Sequence, residues 1–215
     1  MDMGDPRIII AKRAAQEVES GMVVNLGIGI PSMVADYLPT GMNVFFQAEN
    51  GILGMGPTPE KNPDPNLSNA AGLPVSILPG GSYFDSALSF GMIRTGLVDL
   101  AILGALQVSV KGDLANWIVP GKRVPGVGGA MELAYGARNL IVVMTHCEKD
   151  GSPKIVEHCS LPLTTRRCVK KIITERAVFR IEAAKMVLEE IMPGFNLADI
   201  RSSTATAFDV SPSIQ

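Results

Sequence analysis

The chain has 215 residues, a formal net charge of −2 and only 19% charged residues. At this length roughly 70% of the unfolded surface can be buried without staples, and no run of Lys or Arg marks a surface for nucleic acid or an anionic membrane. The longest apolar runs, LVDLAILGALQV and NLIVVMT, stop short of the ~20 residues that cross a bilayer.

The N-terminus, MDMGDPRIII, opens with acids rather than the cationic start of a secretory or transit peptide. Pro6 near its start and Gly21 past its end punctuate a helix over 6–20. MVVNLGIG (22–29) then reads as a buried strand, PSMVADYL (31–38) as a short helix and NVFFQAE (43–49) as a second strand. Residues 56–74 hold five prolines and two glycines and read as a long loop, the kind that serves active sites. VSILPGG (75–81) is expected to be a third strand, SYFDSALSFGMIRTG (82–96) a helix and VDLAILGAL (98–106) a fourth strand.

Later strands are expected at NLIVVMTHC (139–147), KIVEHCS (154–160) and KKIITERAVFRI (170–181). EKDGSP (148–153) joins the first two as a hairpin extension, and EAAKMVLEEIMPG (182–194) reads as a closing helix. Apolar strands alternating with helices imply an α/β fold, with an open, mostly parallel sheet covered by helices, in one domain over 1–215. Three cysteines without C-x-x-C spacing fit a reducing compartment and a cytoplasmic chain.

Ligands of such sheets bind beyond the carboxyl ends of the strands, and there the sequence places one acid, Glu49, followed by the turn-forming pair Asn50-Gly51. A solvated acid opening a turn is the plain alternative. Gly27 and Gly29, with Glu49 22 residues beyond Gly27, also match part of a dinucleotide fingerprint. Ser32 at the third glycine position and the missing donor at Pro31 weaken that reading. His146-Cys147 and His158-Cys159 are adjacent pairs on strands, so at most one of each faces a shared site, and no metal site is expected. Gly126, Gly128 and Gly129 precede a helix-like segment and read either as a plain turn or as a source of free backbone N–H groups for an anion. A carboxylate is ionised near neutral pH and attacks a reactive acyl group, such as a thioester, without a general base.

NLGIGIP, ENGILGMGP, LPGGSYFDSALSFGMIR, GALQVSVKGDLANWIVPGK, GVGGAMELA and CSLPLTTRRCVKKIITERAVF together resemble the B (beta) subunit of the family I 3-oxoacid coenzyme A transferases. The resemblance implies CoA transfer from an acyl-CoA to a carboxylic or 3-oxo acid, through an acyl-glutamyl anhydride and a glutamyl-CoA thioester on Glu49. It implies an oxyanion hole at the Gly129 amide and places Asn25, Gly27, Gly29, Asn50, Gly51 and Gly128 around bound CoA. CoA is then a substrate and no cofactor is called for. A cognate A (alpha) subunit is implied, in an α2β2 heterotetramer; the alternative is a non-catalytic scaffold or binding subunit of the same fold. Two positions depart from the family pattern: Ala48 replaces a common Ser, and Asn69-Ala70-Ala71-Gly72 stands where many relatives read N-A-G-K.

Overall fold

Alternate side chains along the central strands enter two separate apolar layers, and this period of two builds the molecule. The computed structural model describes residues 4–121 and 126–214. Thus Val124 and Pro125 of the glycine-rich stretch, and Lys122 of LANWIVPGK, lie outside the described residues.

In chain order the elements are α1 (Pro6–Ala15), β1 (Val23–Leu26), a 3-10 helix (Pro31–Tyr37), β2 (Phe45–Ala48), β3 (Ile52–Gly56), β4 (Ser76–Tyr83) and α2 (Ser86–Arg94). There follow β5 (Leu100–Gly104), β6 (Gln107–Ser109), β7 (Leu114–Ala115), α3 (Ala130–Gly136), β8 (Asn139–Val143) and β9 (Ile155–Val156). The last are β10 (Lys171–Ile173), β11 (Ala177–Glu182), β12 (Lys185–Ile191), α4 (Leu197–Ser203) and β13 (Asp209–Val210).

Ten strands form one sheet in the order β13-β12-β11-β10-β8-β5-β1-β2-β3-β4. The centre, β10-β8-β5-β1-β2, is parallel, as the alternation of strands and helices implied. Antiparallel strands flank it, β11 and β12 on one side and β3 and β4 on the other. Ala101, Leu103, Leu140, Val142 and Ile172 pack with Ile93 of α2 and Leu133 of α3. Their neighbours Leu100, Ile102, Ile141, Val143 and Ile173 pack on the other face with Ile10, Ala11 and Ala14 of α1 and Val34 of the 3-10 helix.

Capping sets the helix starts. The Asp5 carboxylate accepts from the Arg7 N–H, with Pro6 at the first helical position. Asp85 accepts from the Leu88 N–H at 2.8 Å, so α2 begins at Ser86, and Ser82 and Tyr83, expected in the helix, extend β4 instead.

Three sequence-based expectations are corrected. Residues 182–194 are not a helix: Lys185–Ile191 is β12, antiparallel to β11. Its helix-forming residues serve the sheet, with Met186 and Leu188 buried, Glu189 accepting from Arg180 at 2.6 Å and Glu190 from Arg13 at 2.6 Å. Tertiary pairing overrides local propensity here. Residues 170–181 are not one strand, because the Thr174 hydroxyl accepts the Arg176 and Ala177 N–H groups and turns the chain between β10 and β11. The 148–153 turn forms, with the Glu148 N–H on Ser152 O at 2.8 Å, but its arms part: β8 joins the large sheet, while β9 joins β6 and β7 in a second sheet. The hairpins are β10-β11 and β11-β12 instead.

The β11-β12 loop is two residues, Ala183 and Ala184, both left-handed at φ 49° and 60°. Two-residue hairpins of this kind favour Asn-Gly, because a Cβ at positive φ costs about 1–2 kcal/mol per residue. The double change Ala183→Asn, Ala184→Gly is expected to raise stability by about 1 kcal/mol, read as a higher urea midpoint with an unchanged m-value.

Candidate active site

The pairing of β1 with β2 places Asn25 directly beside Gln47, and both side chains are buried. Asn25 Nδ2 donates toward the Gln47 carbonyl at 3.1 Å, Gln47 Oε1 at 2.6 Å and Glu49 Oε2 at 3.2 Å. Glu49 itself follows the last residue of β2 and is half-buried.

A three-residue connection, Glu49-Asn50-Gly51, turns β2 into the antiparallel β3. Gly51 has φ 122°, and a Cβ there would stand 2.0 Å from the Phe84 carbonyl oxygen, so only glycine fits. Asn50 Nδ2 donates to Ser68 O at 2.7 Å and pins the proline-rich loop over the strand end. Both residues therefore build the turn that presents Glu49.

Gly129 reaches the same carboxylate from the far side. A Cβ on it would lie 2.9 Å from Glu49 Cγ and 3.0 Å from Oε1, so the side chain packs against bare backbone. Gly128, at φ 54°, shapes the approach. Among the described residues no acceptor is seen for the Gly129 N–H. Gly129→Ala is expected to push the carboxylate aside and lower activity by about 100-fold, the scale of a 1 Å misplacement at a reacting centre. Unchanged secondary structure by circular dichroism would accompany it.

A cavity of about 510 Å³ opens beside Glu49, lined by Gly27, Ile28 and Gly29 after β1, by Met55–Thr58, and by Asn69–Ala71 of the long loop. Gly27 is needed for closeness: a Cβ would meet Leu103 Cδ2 at 3.2 Å and Ile102 O at 3.3 Å. The cavity lining contains the carboxylates Glu49 and Asp36 and, among the described residues, no Lys or Arg. Ala70 and Ala71 line it, and Gly72 follows them in the chain.

A second hollow, about 520 Å³, lies at the amino ends of the same strands, lined by Met22, Leu100 and Lys171 among others. There Lys171 pairs with Glu17 at 2.8 Å and Arg180 with Glu182. It is thus at the end of the sheet away from Glu49.

The structure brings together Asn25, Gly27, Gly29, Glu49 and Gly129 of the residues singled out from the sequence. It adds Gln47 and Ser89, which the sequence reading did not single out. The signal for Gln47 was a polar residue inside the apolar run NVFFQAE.

His146 belongs to the interior instead. Its Nδ1 meets Thr174 Oγ1 and its Nε2 meets Thr204 Oγ1, each at 3.0 Å, while Cys147 Sγ points to Ser203 O. Burial, helped by the Arg176 charge, pulls the imidazole down to about 4 from 6.5. Glu175 accepts the His146 backbone N–H at 2.9 Å, and Lys154 approaches through its backbone N–H on His146 O. The unfolded chain takes up this proton first. Stability from the neutral ring is thus complete above pH ~6.5 and is lost as pH falls toward ~4, by roughly 3 kcal/mol in all. Urea titrations at pH 7 and pH 5 should show wild type losing roughly 2 kcal/mol more than His146→Gln.

No helix among the described residues is long and apolar enough to cross a membrane. The coenzyme A transferase family matches residues 7–203. The acetate CoA-transferase subunit beta of Escherichia coli (strain K12) is 51% identical over 207 residues, covering 96% of this chain and 95% of that one. The mitochondrial succinyl-CoA:3-ketoacid coenzyme A transferase 2 of Homo sapiens is 50% identical over 214 residues, 98% of this chain but 41% of that protein. An acyl-CoA transferase apoenzyme from Escherichia coli O157:H7 superposes with a TM-score of 0.80 at 24% identity, over 98% of this chain and 42% of that one, a likeness of fold. With most of its length matched in both sequence and fold, this chain belongs to the coenzyme A transferase family and is a transferase subunit of its B (beta) type.

Proposed function

We propose that Glu49 is the nucleophile of a two-component CoA transferase that moves CoA from an acyl-CoA, such as succinyl-CoA, to a carboxylic or 3-oxo acid, such as acetoacetate. The observation that carries this is the Glu49 carboxylate at a cavity mouth, its Oε2 within reach of the Asn25 amide and its Oε1 against Gly129. Gly27 and Gly29 line the slot for CoA, and Asn50, Gly51 and Gly128 act by shaping the turns.

In the first step Glu49 Oε1 attacks the thioester carbonyl carbon. A C–O bond forms, the C–S bond breaks and CoA leaves as thiolate, with the Gly129 N–H available to the oxyanion that develops. In the second step the thiolate attacks Glu49 Cδ; the Cδ–S bond forms, the bridging C–O bond breaks and the first acid leaves as carboxylate. Negative charge then grows on Oε2, where the Asn25 N–H already stands. The incoming carboxylate runs both steps in reverse and departs as the new acyl-CoA. Proton transfer and cofactor are both unnecessary, because nucleophile and leaving group are anions throughout, and CoA is a substrate held only transiently on Glu49.

The anhydride and the thioester both hydrolyse, so the site has to exclude water. A cavity without described cations offers no counter-charge to the CoA phosphates, and a partner A subunit supplies the remaining wall in this reading, as α2β2. The longer human relative, of which this chain covers 41%, is in keeping with a second half on another chain. The complex is expected to work in the cytoplasm.

Oxygen bookkeeping tests this reading. An acceptor acid labelled with oxygen-18 leaves one label on Glu49, and the next donor acid to depart carries it away. The expected result is label in the released donor acid with no oxygen from water; label arriving from water would contradict it.

A further inference from the structure

Ser89, Gln47 and Asn25 are polar yet only 0%, 1% and 1% exposed, and burying such groups costs free energy unless each is paired. They are paired in a line. Gln47 Nε2 donates to Ser89 Oγ at 2.8 Å, Gln47 Oε1 accepts from Asn25 Nδ2 at 2.6 Å, and the same Nδ2 stands 3.2 Å from Glu49 Oε2.

Amide groups could in principle be turned either way, but here one fixed atom sets the whole line. The Gln47 backbone carbonyl, 3.1 Å from the Asn25 amide, can only accept, so the Asn25 atom facing it is the NH₂. The Gln47 side-chain atom 2.6 Å from that NH₂ is then the oxygen, which turns the Gln47 NH₂ to Ser89.

The orientation has a cost. Asn25 Oδ1 is buried without a hydrogen-bond partner among the described residues. A buried acceptor left unpaired is expensive, yet the reverse orientation would set Oδ1 against the Gln47 carbonyl, Gln47 Oε1 and the Glu49 carboxylate. The Asn25 NH₂ has two hydrogens for three acceptors. The share directed to Glu49 therefore depends on where Gln47 is held.

We propose that Gln47 and Ser89 are positioning residues of the reaction. They act through Asn25, holding its carboxamide in the orientation that offers an N–H to Glu49 Oε2, the oxygen on which charge grows when thiolate attacks Cδ. The proposal rests on the reading of Glu49 as nucleophile.

The test uses the complex assembled with its partner subunit, mixed with acyl-CoA in a single turnover and stopped with borohydride at successive times. The Glu49 adduct is quantified by peptide mass spectrometry, giving both a rate constant and the fraction of sites that react. Ser89→Ala is expected to lower the rate constant about 10-fold and Gln47→Leu about 100-fold, with KM for acyl-CoA and the reactive fraction near wild type. Ser89→Thr, which keeps the hydroxyl, should restore the rate. A purely structural role would lower the reactive fraction or the melting temperature and leave the rate constant of the surviving sites unchanged. That result, in Ser89→Ala or in Gln47→Leu, would overturn the proposal while leaving a normal wild-type adduct. An adduct missing from Glu49 in a wild-type complex that turns over would overturn the nucleophile reading and this proposal together.

Discussion

Glu49→Gln is expected to lower CoA transfer by about 10⁴-fold or more, because the amide keeps the size of the side chain and removes the nucleophile. The cavity's other carboxylate, Asp36, stands exposed on the 3-10 helix, whereas the Asn25 amide and Gly129 are gathered at Glu49. Ser89 is fully buried behind Gln47, and no thiol lines the cavity among the described residues. The Asn25 amide can still donate to the carbonyl oxygen of the new carboxamide, so folding and CoA binding should be close to wild type, checked by thermal melting and by equilibrium binding of CoA. Glu49→Asp keeps the charge but withdraws it by one methylene from Gly129 and Asn25. About 100-fold is the expected loss, and retention of more than a tenth of the activity in Glu49→Gln would reassign the nucleophile.

The second large effect is partner dependence. The isolated chain is expected to fold yet to show less than about 1% of the transfer activity of the complex, since an open site neither holds the CoA phosphates nor keeps water from the anhydride. Two features support this. The cavity lining has no Lys or Arg among the described residues, and large apolar side chains stand exposed near its lip and on α3, with Ile28 71% and Tyr135 82% exposed. Titrating in the cognate A subunit should restore activity with saturation near one to one, and the same titration against a panel of acyl donors and acceptors reads the acyl preference. Full activity from this chain alone would remove the need for a partner.

The central parallel strands were legible because both faces of the sheet are covered. Runs such as AILG and LIVV are apolar at every position, and only a doubly covered sheet wants that. Glu49 was legible for a related reason: an acid ending such a run, followed by Asn-Gly, has to lie at a strand tip. β12 was not legible, because Ala183, Ala184, Lys185, Met186, Leu188, Glu189 and Glu190 are all good helix formers. What makes it a strand lies outside the segment itself, in the hairpin pairing with β11 and the ion pairs to Arg180 and, 177 positions away, to Arg13.

α4 begins at a capping box, Asn196 with Asp199, a signal present in the sequence that the sequence reading did not single out. Gln47 and Ser89 were hidden for another reason. A single polar residue on a strand or helix acquires meaning only when its partner is known, and theirs lies 42 positions away. The part that Asn50 and Gly51 play in building the turn likewise depends on remote atoms, Ser68 O and Phe84 O.

The central claim, that CoA is carried on Glu49, is tested most directly by mapping the covalent adduct. The assembled complex is incubated with acyl-CoA and no acceptor acid, divided between borohydride and hydroxylamine, digested, and the peptide containing Glu49 is sequenced by mass spectrometry. The predicted result is reduction to the alcohol in one sample and a hydroxamate in the other, both at Glu49 and both prevented by adding acceptor acid before the trap. An adduct at a different residue, or full turnover with Glu49 unmodified in both samples, would contradict the account.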